Sequence, residues 1–194
     1  RMREERAVRP LLGLLADPDA EVRRSAGAAL AMLGPAAGPS LVGALGDADP
    51  RLRRAAAEVL GVMAHAPAIE PLARLLDDAQ PEVRAAAQSA LHQMSLRFLG
   101  DLRLPGEGRR RAAVEALARI GPPIVPVLLD SLREADPALR AGAAEALGRA
   151  RVARAAPRLV ALLGDADPGV RAAAAGALEA LGPRAAEHLL PLLR

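Results

Sequence analysis

The sequence predicts an all-α chain, a stack of about six helix–turn–helix units. Three observations predict it. The 194 residues are 52% hydrophobic but only 1% aromatic, so the core must be filled by Leu, Ala and Val. Leu and Ala favour helix, and strand formers are scarce. A motif recurs along the chain: Arg23, Arg53, Arg84, Arg110, Arg140 and Arg171 follow one another at intervals of 30, 31, 26, 30 and 31 residues. Around each of these Arg markers, apolar residues fall on one helical face.

The first helix of each unit, the A helix, carries that face. Three residues after the markers stand Ala26, Ala56, Ala87, Ala113, Ala143 and Ala174. Seven after stand Leu30, Leu60, Leu91, Leu117, Leu147 and Leu178. One before stands Val22, Leu52, Val83, Leu139 or Val170, with Arg109 as the exception. This spacing is helical. Asp49-Pro50, Asp136-Pro137 and Asp167-Pro168 place an N-cap acceptor before a Pro suited to the first helical position, and Asp19-Ala20 and Gln80-Pro81 are partial versions. Gly34-Pro35, Gly121-Pro122 and Gly182-Pro183 signal left-handed caps followed by a residue that cannot continue the helix.

A second apolar helix, B, follows. Its copies centre on Leu11–Leu15, Leu41–Leu45, Leu72–Leu76, Val127–Leu129, Leu159–Leu163 and Leu189–Leu193. Pro10, Pro71, Pro126 and Pro191 are expected near the B-helix starts, where a missing N–H is tolerated. No unit can bury its apolar face alone, so neighbours must stack into one core.

The third unit departs. Its B helix, Leu96–Asp101, is weak, and a loop at Leu102–Gly108 precedes Arg109, Arg110 and Arg111. Two readings stand: a kink presenting Phe98 and an Arg cluster to a ligand, or a degenerate repeat with Phe98 as core filler.

Units such as Asp49-Pro50-Arg51-Leu52-Arg53-Arg54-Ala55-Ala56-Ala57-Glu58-Val59-Leu60-Gly61 and Asp167-Pro168-Gly169-Val170-Arg171-Ala172-Ala173-Ala174-Ala175 resemble HEAT repeats. They are most similar to the short bacterial type associated with phycobilisome bilin lyases. The resemblance implies a right-handed α-α superhelix, a HEAT-like solenoid. One continuous array is expected over residues 1–194, with an irregular repeat around 95–109. The chain opens on Arg1 and neither end carries a polar capping helix, which points to a longer parent array or to ends covered by a partner.

Composition excludes much chemistry. There is no Cys, Lys, Thr, Asn, Trp or Tyr, hence no disulfide, thiolate or Schiff base. His65, His92 and His188 lie in different repeats without metal-ligand spacing, so no metal and no cofactor are expected. Ser25, Ser40, Ser89, Ser95 and Ser131 lack a nearby His and a nucleophile-elbow pattern, and no enzyme activity is expected of the chain alone. The net charge is +3, from 26 basic and 23 acidic residues. No apolar run approaches a membrane span, and a cytoplasmic location is expected.

The Asp-to-Arg spacing of four, as in Asp49/Arg53, predicts either i,i+4 pairs or a ladder to the next repeat. Outward positions on the B helices are bare in the outer repeats (Gly13, Gly43, Gly46, Ala161, Gly164) and charged in the central ones (Arg74, Asp77, Asp130, Arg133). Arg97 and Asp101 extend the charged middle. Such a concave B-helix groove suits a protein or peptide partner, and these six residues are the candidate site. A nucleic-acid alternative uses Arg97, Arg103, Arg109, Arg110 and Arg111 as phosphate contacts. Further Arg stand at Arg1, Arg3, Arg6 and Arg9, and at Arg149, Arg151, Arg154 and Arg158. A third reading, implied by the resemblance, is a non-catalytic module of a bilin-lyase-like complex.

Overall fold

The A helices begin where an acid can close their first turn. The computed structural model describes residues 2–185, with side chains from Ala7 onward. Helices α2 (Ala20–Leu33), α4 (Pro50–Met63), α9 (Pro137–Arg149) and α11 (Pro168–Leu181) each follow an Asp in extended backbone. Its carboxylate accepts the N–H of the second helical residue, satisfying one of the four donors left open at a helix start. Pro50, Pro137 and Pro168 fill the first position.

The helix ends fall into two types. Gly34, Gly121 and Gly182 have φ of 57°, 73° and 57°. Their φ is positive as predicted, but ψ of −134°, −139° and −145° places them outside the left-handed helical region, in backbone that Gly adopts most readily. The left-handed cap expected there occurs instead at Ala64 (φ 49°, ψ 45°), which ends α4. Arg151 (φ 52°) takes the matching place just beyond α9. The next N–H groups, of His65 and Val152, donate back to the Leu60 and Leu147 carbonyls at 3.3 and 3.0 Å, a Schellman-type closure.

The predicted core is buried. Ala26, Ala56, Ala87, Ala113, Ala143 and Ala174, with Leu30, Leu60, Leu91, Leu117 and Leu147, are each at most 2% exposed. Leu178 is half-buried. The B helices are short. Helices α3 (Gly38–Ala44), α5 (Ile69–Arg74), α8 (Val125–Ser131) and α10 (Ala156–Leu162) each follow a single 3-10 turn. Helix α1 (Met2–Leu14) is longer, and Pro10 lies inside it rather than near its start, because the helix begins well before the Leu11–Leu15 run. The predicted B helix at Leu189–Leu193 lies outside the described residues, as do His188 and Arg1, and the Arg3 and Arg6 side chains are not described.

The third unit holds the main correction. Its A helix does not stop, and the segment Leu96–Asp101 is not a separate B helix. Both belong to α6 (Pro81–Leu102), 22 residues long. The reason is local. Ser95 stands at the usual stopping point and donates its hydroxyl to the His92 carbonyl at 2.6 Å, inside the helix. Leu91, Met94, Phe98 and Leu102 continue one buried face at helical spacing. Phe98 is 8% exposed, so it fills the core and is not presented to a ligand. Helix α7 (Glu107–Ile120) follows after a short loop.

The chain divides into two compact units, Arg1–Leu96 and Arg97–Arg194. In the first, α2 packs on α1 and α4, and α3 on α4. In the second, α9 packs on α7, α8 and α11, and α10 on α11. Two glycines set the closest A-helix approaches. A β-carbon on Gly61 would lie 2.7 Å from the Ala90 Cα, and one on Gly148 would lie 2.6 Å from the Ala177 Cα. In the first unit His65 packs its ring on Gly38, and burial pushes its imidazole pKa down. The described residues contain no strand, and no single helix among them is long and apolar enough to cross a membrane.

Candidate protein-binding face

The Arg markers are committed to the fold, which removes them from any binding surface. Arg53 donates one Nη to the carbonyls of Asp47 and Ala48, at 2.9 and 3.0 Å, tying down the turn before its own helix. Its Nε and other Nη grip both oxygens of Asp78 at 2.9 Å. Arg140 repeats the pattern: it holds the Glu134 and Ala135 carbonyls at 2.8 Å and both oxygens of Asp165 at 2.8 Å. Arg23, Arg84 and Arg171 hold the two carbonyls of their own turns in the same way.

The ladder runs to the next repeat, and i,i+4 pairing is overturned: the Asp four residues before the marker serves as the helix cap. Asp78 and Asp165 were not singled out from the sequence, although an acid recurs two residues before every A-helix cap but that of α7, where Leu104 stands. Each also accepts an N–H, from Gln80 and Asp167. The Arg guanidinium first, and that N–H second, hold both carboxyls below the usual Asp range.

Arg110 breaks the pattern. It pairs with Glu145 on α9, a partner 35 residues away that no local motif announces. Arg103 pairs with Asp136 at 3.5 Å. Two of the Arg proposed for phosphate contact are therefore already neutralised by acids, while Arg109 and Arg111 are exposed.

In the first unit, Arg74 ends α5 and Asp77 lies in the 3-10 turn Leu75–Asp77. Both are exposed. In the second unit, Asp130 on α8 and Arg133 just beyond it are exposed, as is Arg97 on α6, whereas Asp101 is half-buried. Arg97 and Asp101 thus sit on the long α6 rather than on a B helix. Among the described residues, Arg74, Asp77, Arg97, Asp101 and Arg133 make no ion pair. Asp130 meets Arg158 of α10 at 3.7 Å. The neighbouring B helices expose small residues: Gly13, Gly43 and Gly46 in the first unit, Ala161 and Gly164 in the second. Val160 and Leu163 of α10 are 41% and 43% exposed.

Both buried serines are tied to backbone: Ser95 to His92, and Ser131 to the Val127 carbonyl at 2.9 Å. Among the described residues no three His, Asp or Glu stand close enough to hold a metal ion.

A chain built from stacked helix pairs, each buried only by its neighbours, is a helical repeat protein of the solenoid class. The HEAT repeat family model matches residues 8–92 and 125–194, and the PBS lyase HEAT-like repeat model matches 109–134. The chain belongs to the HEAT repeat family. No curated protein matches its sequence.

Solved structures similar to it include the complex of CpcE and CpcF of phycocyanin lyase from Nostoc sp. PCC7120, at 24% identity over 88% of this chain and 97% of that one, with a TM-score of 0.46. A designed armadillo repeat protein in complex with the peptide (KR)4 is 22% identical over 89% and 98%, with a TM-score of 0.44. Human deoxyhypusine hydroxylase is 22% identical over 98% and 90%, with a TM-score of 0.36.

Proposed function

We propose that the chain is a non-catalytic interaction module that holds a protein or peptide segment on its B-helix surface. One observation carries the reading. The charged side chains on the central B helices are exposed and mostly unpaired, while the Arg markers of the A helices are tied to turns and acids. Each unit offers its own charges to a partner: Arg74 and Asp77 in the first, and Arg97, Asp101, Asp130 and Arg133 in the second, would engage it by charge pairing. The bare Gly and Ala positions on the other B helices allow a backbone to approach closely.

The test is capture from a nuclease-treated lysate, with wild-type chain and the Arg74→Glu/Arg133→Glu variant immobilised side by side. A discrete protein held by the wild type at moderate salt and lost by the variant, whose helical circular dichroism is unchanged, supports the assignment. Equal retention by both baits removes this surface, and retention that disappears with nuclease moves the role to nucleic acid.

A further inference from the structure

Free basic charge in the second unit gathers at one turn. Between Glu145 and Asp165 the chain carries four Arg and no acid. Arg158 is paired with Asp130. The other three are Arg149 at the end of α9, Arg151 in the turn and Arg154 in the 3-10 turn Ala153–Ala155. All three are exposed. Among the described residues, none of the three makes an ion pair or a side-chain hydrogen bond.

The fold does not require them. The turns at Gly34-Pro35-Ala36, Ala64-His65-Ala66 and Gly121-Pro122-Pro123 make the same A-to-B connection without an Arg. Arg149 does compensate the negative end of the α9 dipole, but Arg151 and Arg154 lie beyond that helix. Arg151 stands at φ 52° and Ala64 at φ 49° in the matching turn of the first unit, so the turn needs no Arg side chain to take a positive φ, which disfavours any residue with a β-carbon.

We infer that this turn is a docking point for an acidic segment of a partner protein, a short run of Asp and Glu. The guanidinium fork grips a carboxylate through two parallel bonds. Three such forks within six residues suit a few neighbouring carboxylates. A surface for single-stranded nucleic acid would add aromatic platforms for the bases, and Phe98, the single aromatic residue, is buried in the core. None of the three residues belongs to the B-helix face proposed above, and the inference does not rest on that proposal.

The test is fluorescence anisotropy of a labelled oligoglutamate peptide titrated with the full chain at about 0.15 M salt, where the Debye length is about 8 Å. Arg149→Gln/Arg151→Gly/Arg154→Gln should weaken binding by about tenfold or more, as expected for losing charge-assisted bonds. Arg151→Gly alone should weaken binding while leaving the chain at least as stable, since Gly accepts the positive φ; this separates lost contact from lost folding. Arg9→Gln/Arg109→Gln/Arg111→Gln removes equal charge elsewhere and should change affinity by no more than about twofold, the effect of exposed, screened charges. Equal weakening by that control overturns the inference, as does absence of binding by the wild type. Tighter binding of an oligothymidylate, abolished by the same turn substitutions, overturns it in favour of nucleic acid.

Discussion

Replacing Gly148 and Gly176 by Ala, one at a time, should move stability in opposite directions. Both glycines are helical, on α9 and α11. A β-carbon on Gly148 would lie 2.6 Å from the Ala177 Cα, 2.8 Å from its Cβ and 3.3 Å from its carbonyl oxygen. Carbon atoms rest at about 3.5–4.0 Å, so the methyl is too close by about 1 Å and α9 and α11 must part locally. Overpacking of this kind costs about 1–3 kcal/mol. The better helix propensity of Ala returns about 1 kcal/mol.

The nearest atom is backbone, which cannot swing aside, so the cost falls in the upper part of that range, about 2–3 kcal/mol, and the net expectation for Gly148→Ala is a loss of about 1–2 kcal/mol. A β-carbon on Gly176 meets nothing within 4 Å, so Gly176→Ala keeps only the propensity gain of about 0.5–1 kcal/mol. Urea unfolding followed by circular dichroism reads both as midpoint shifts at constant slope. In thermal melts each kcal/mol corresponds to about 2–4 °C for a chain of this length. A Gly148→Ala protein as stable as the wild type would show that the helices are not held at this approach, and the packing argument would fail.

Acid should loosen the ladder. Asp78 and Asp165 have carboxyl pKa values below their unfolded values, so their contribution is present above about pH 4 and is lost as pH falls through the lower folded value. Asp78→Asn/Asp165→Asn should be less stable at neutral pH and show a shallower fall in melting temperature on acidification; an unchanged slope refutes the pairing. Asp167 accepts the N–H groups of both Gly169 and Val170, at 2.8 and 3.1 Å. Asp167→Ala should therefore cost about 1 kcal/mol by calorimetry, and no loss would mean that the cap contributes nothing.

Much of the fold is legible in the sequence because it rests on local rules. The Ala and Leu that follow each Arg marker read as core and are core, and the Asp caps read as caps. The long α6 is where that legibility fails: the repeat predicts a separate B helix at Leu96–Asp101, but Leu91, Met94, Phe98 and Leu102 keep helical spacing through the place where the repeat calls for a turn. There the periodicity of the apolar face outweighs the periodicity of the repeat. The acid two residues before a cap is visible at Asp17, Asp47, Asp78, Glu134 and Asp165, but the bonds of Asp78 to Arg53 and of Asp165 to Arg140 are not, since stacked helices bring together residues 25 apart in sequence. Arg110 with Glu145 is harder still, being neither local nor periodic. Of the candidate binding residues, helical spacing gives the exposure of Arg74, Asp77, Asp130 and Arg133. It does not give the capture of Arg103 by Asp136, which depends on where the loop after α6 leads.

Arg53 and Arg140 each touch the turn before their own helix and the acid that opens the next. In a linear array, cooperativity passes only between neighbours, and these guanidinia are a physical form of that link. If one turn opens, the next loses the partner of its acid, so adjacent repeats within a unit are driven to melt together rather than fray singly. Arg84, in the repeat whose helix never stops, holds only the two carbonyls of its own turn, and Leu104 rather than an acid stands two residues before the cap of α7, so cooperative melting has a natural place to pause there.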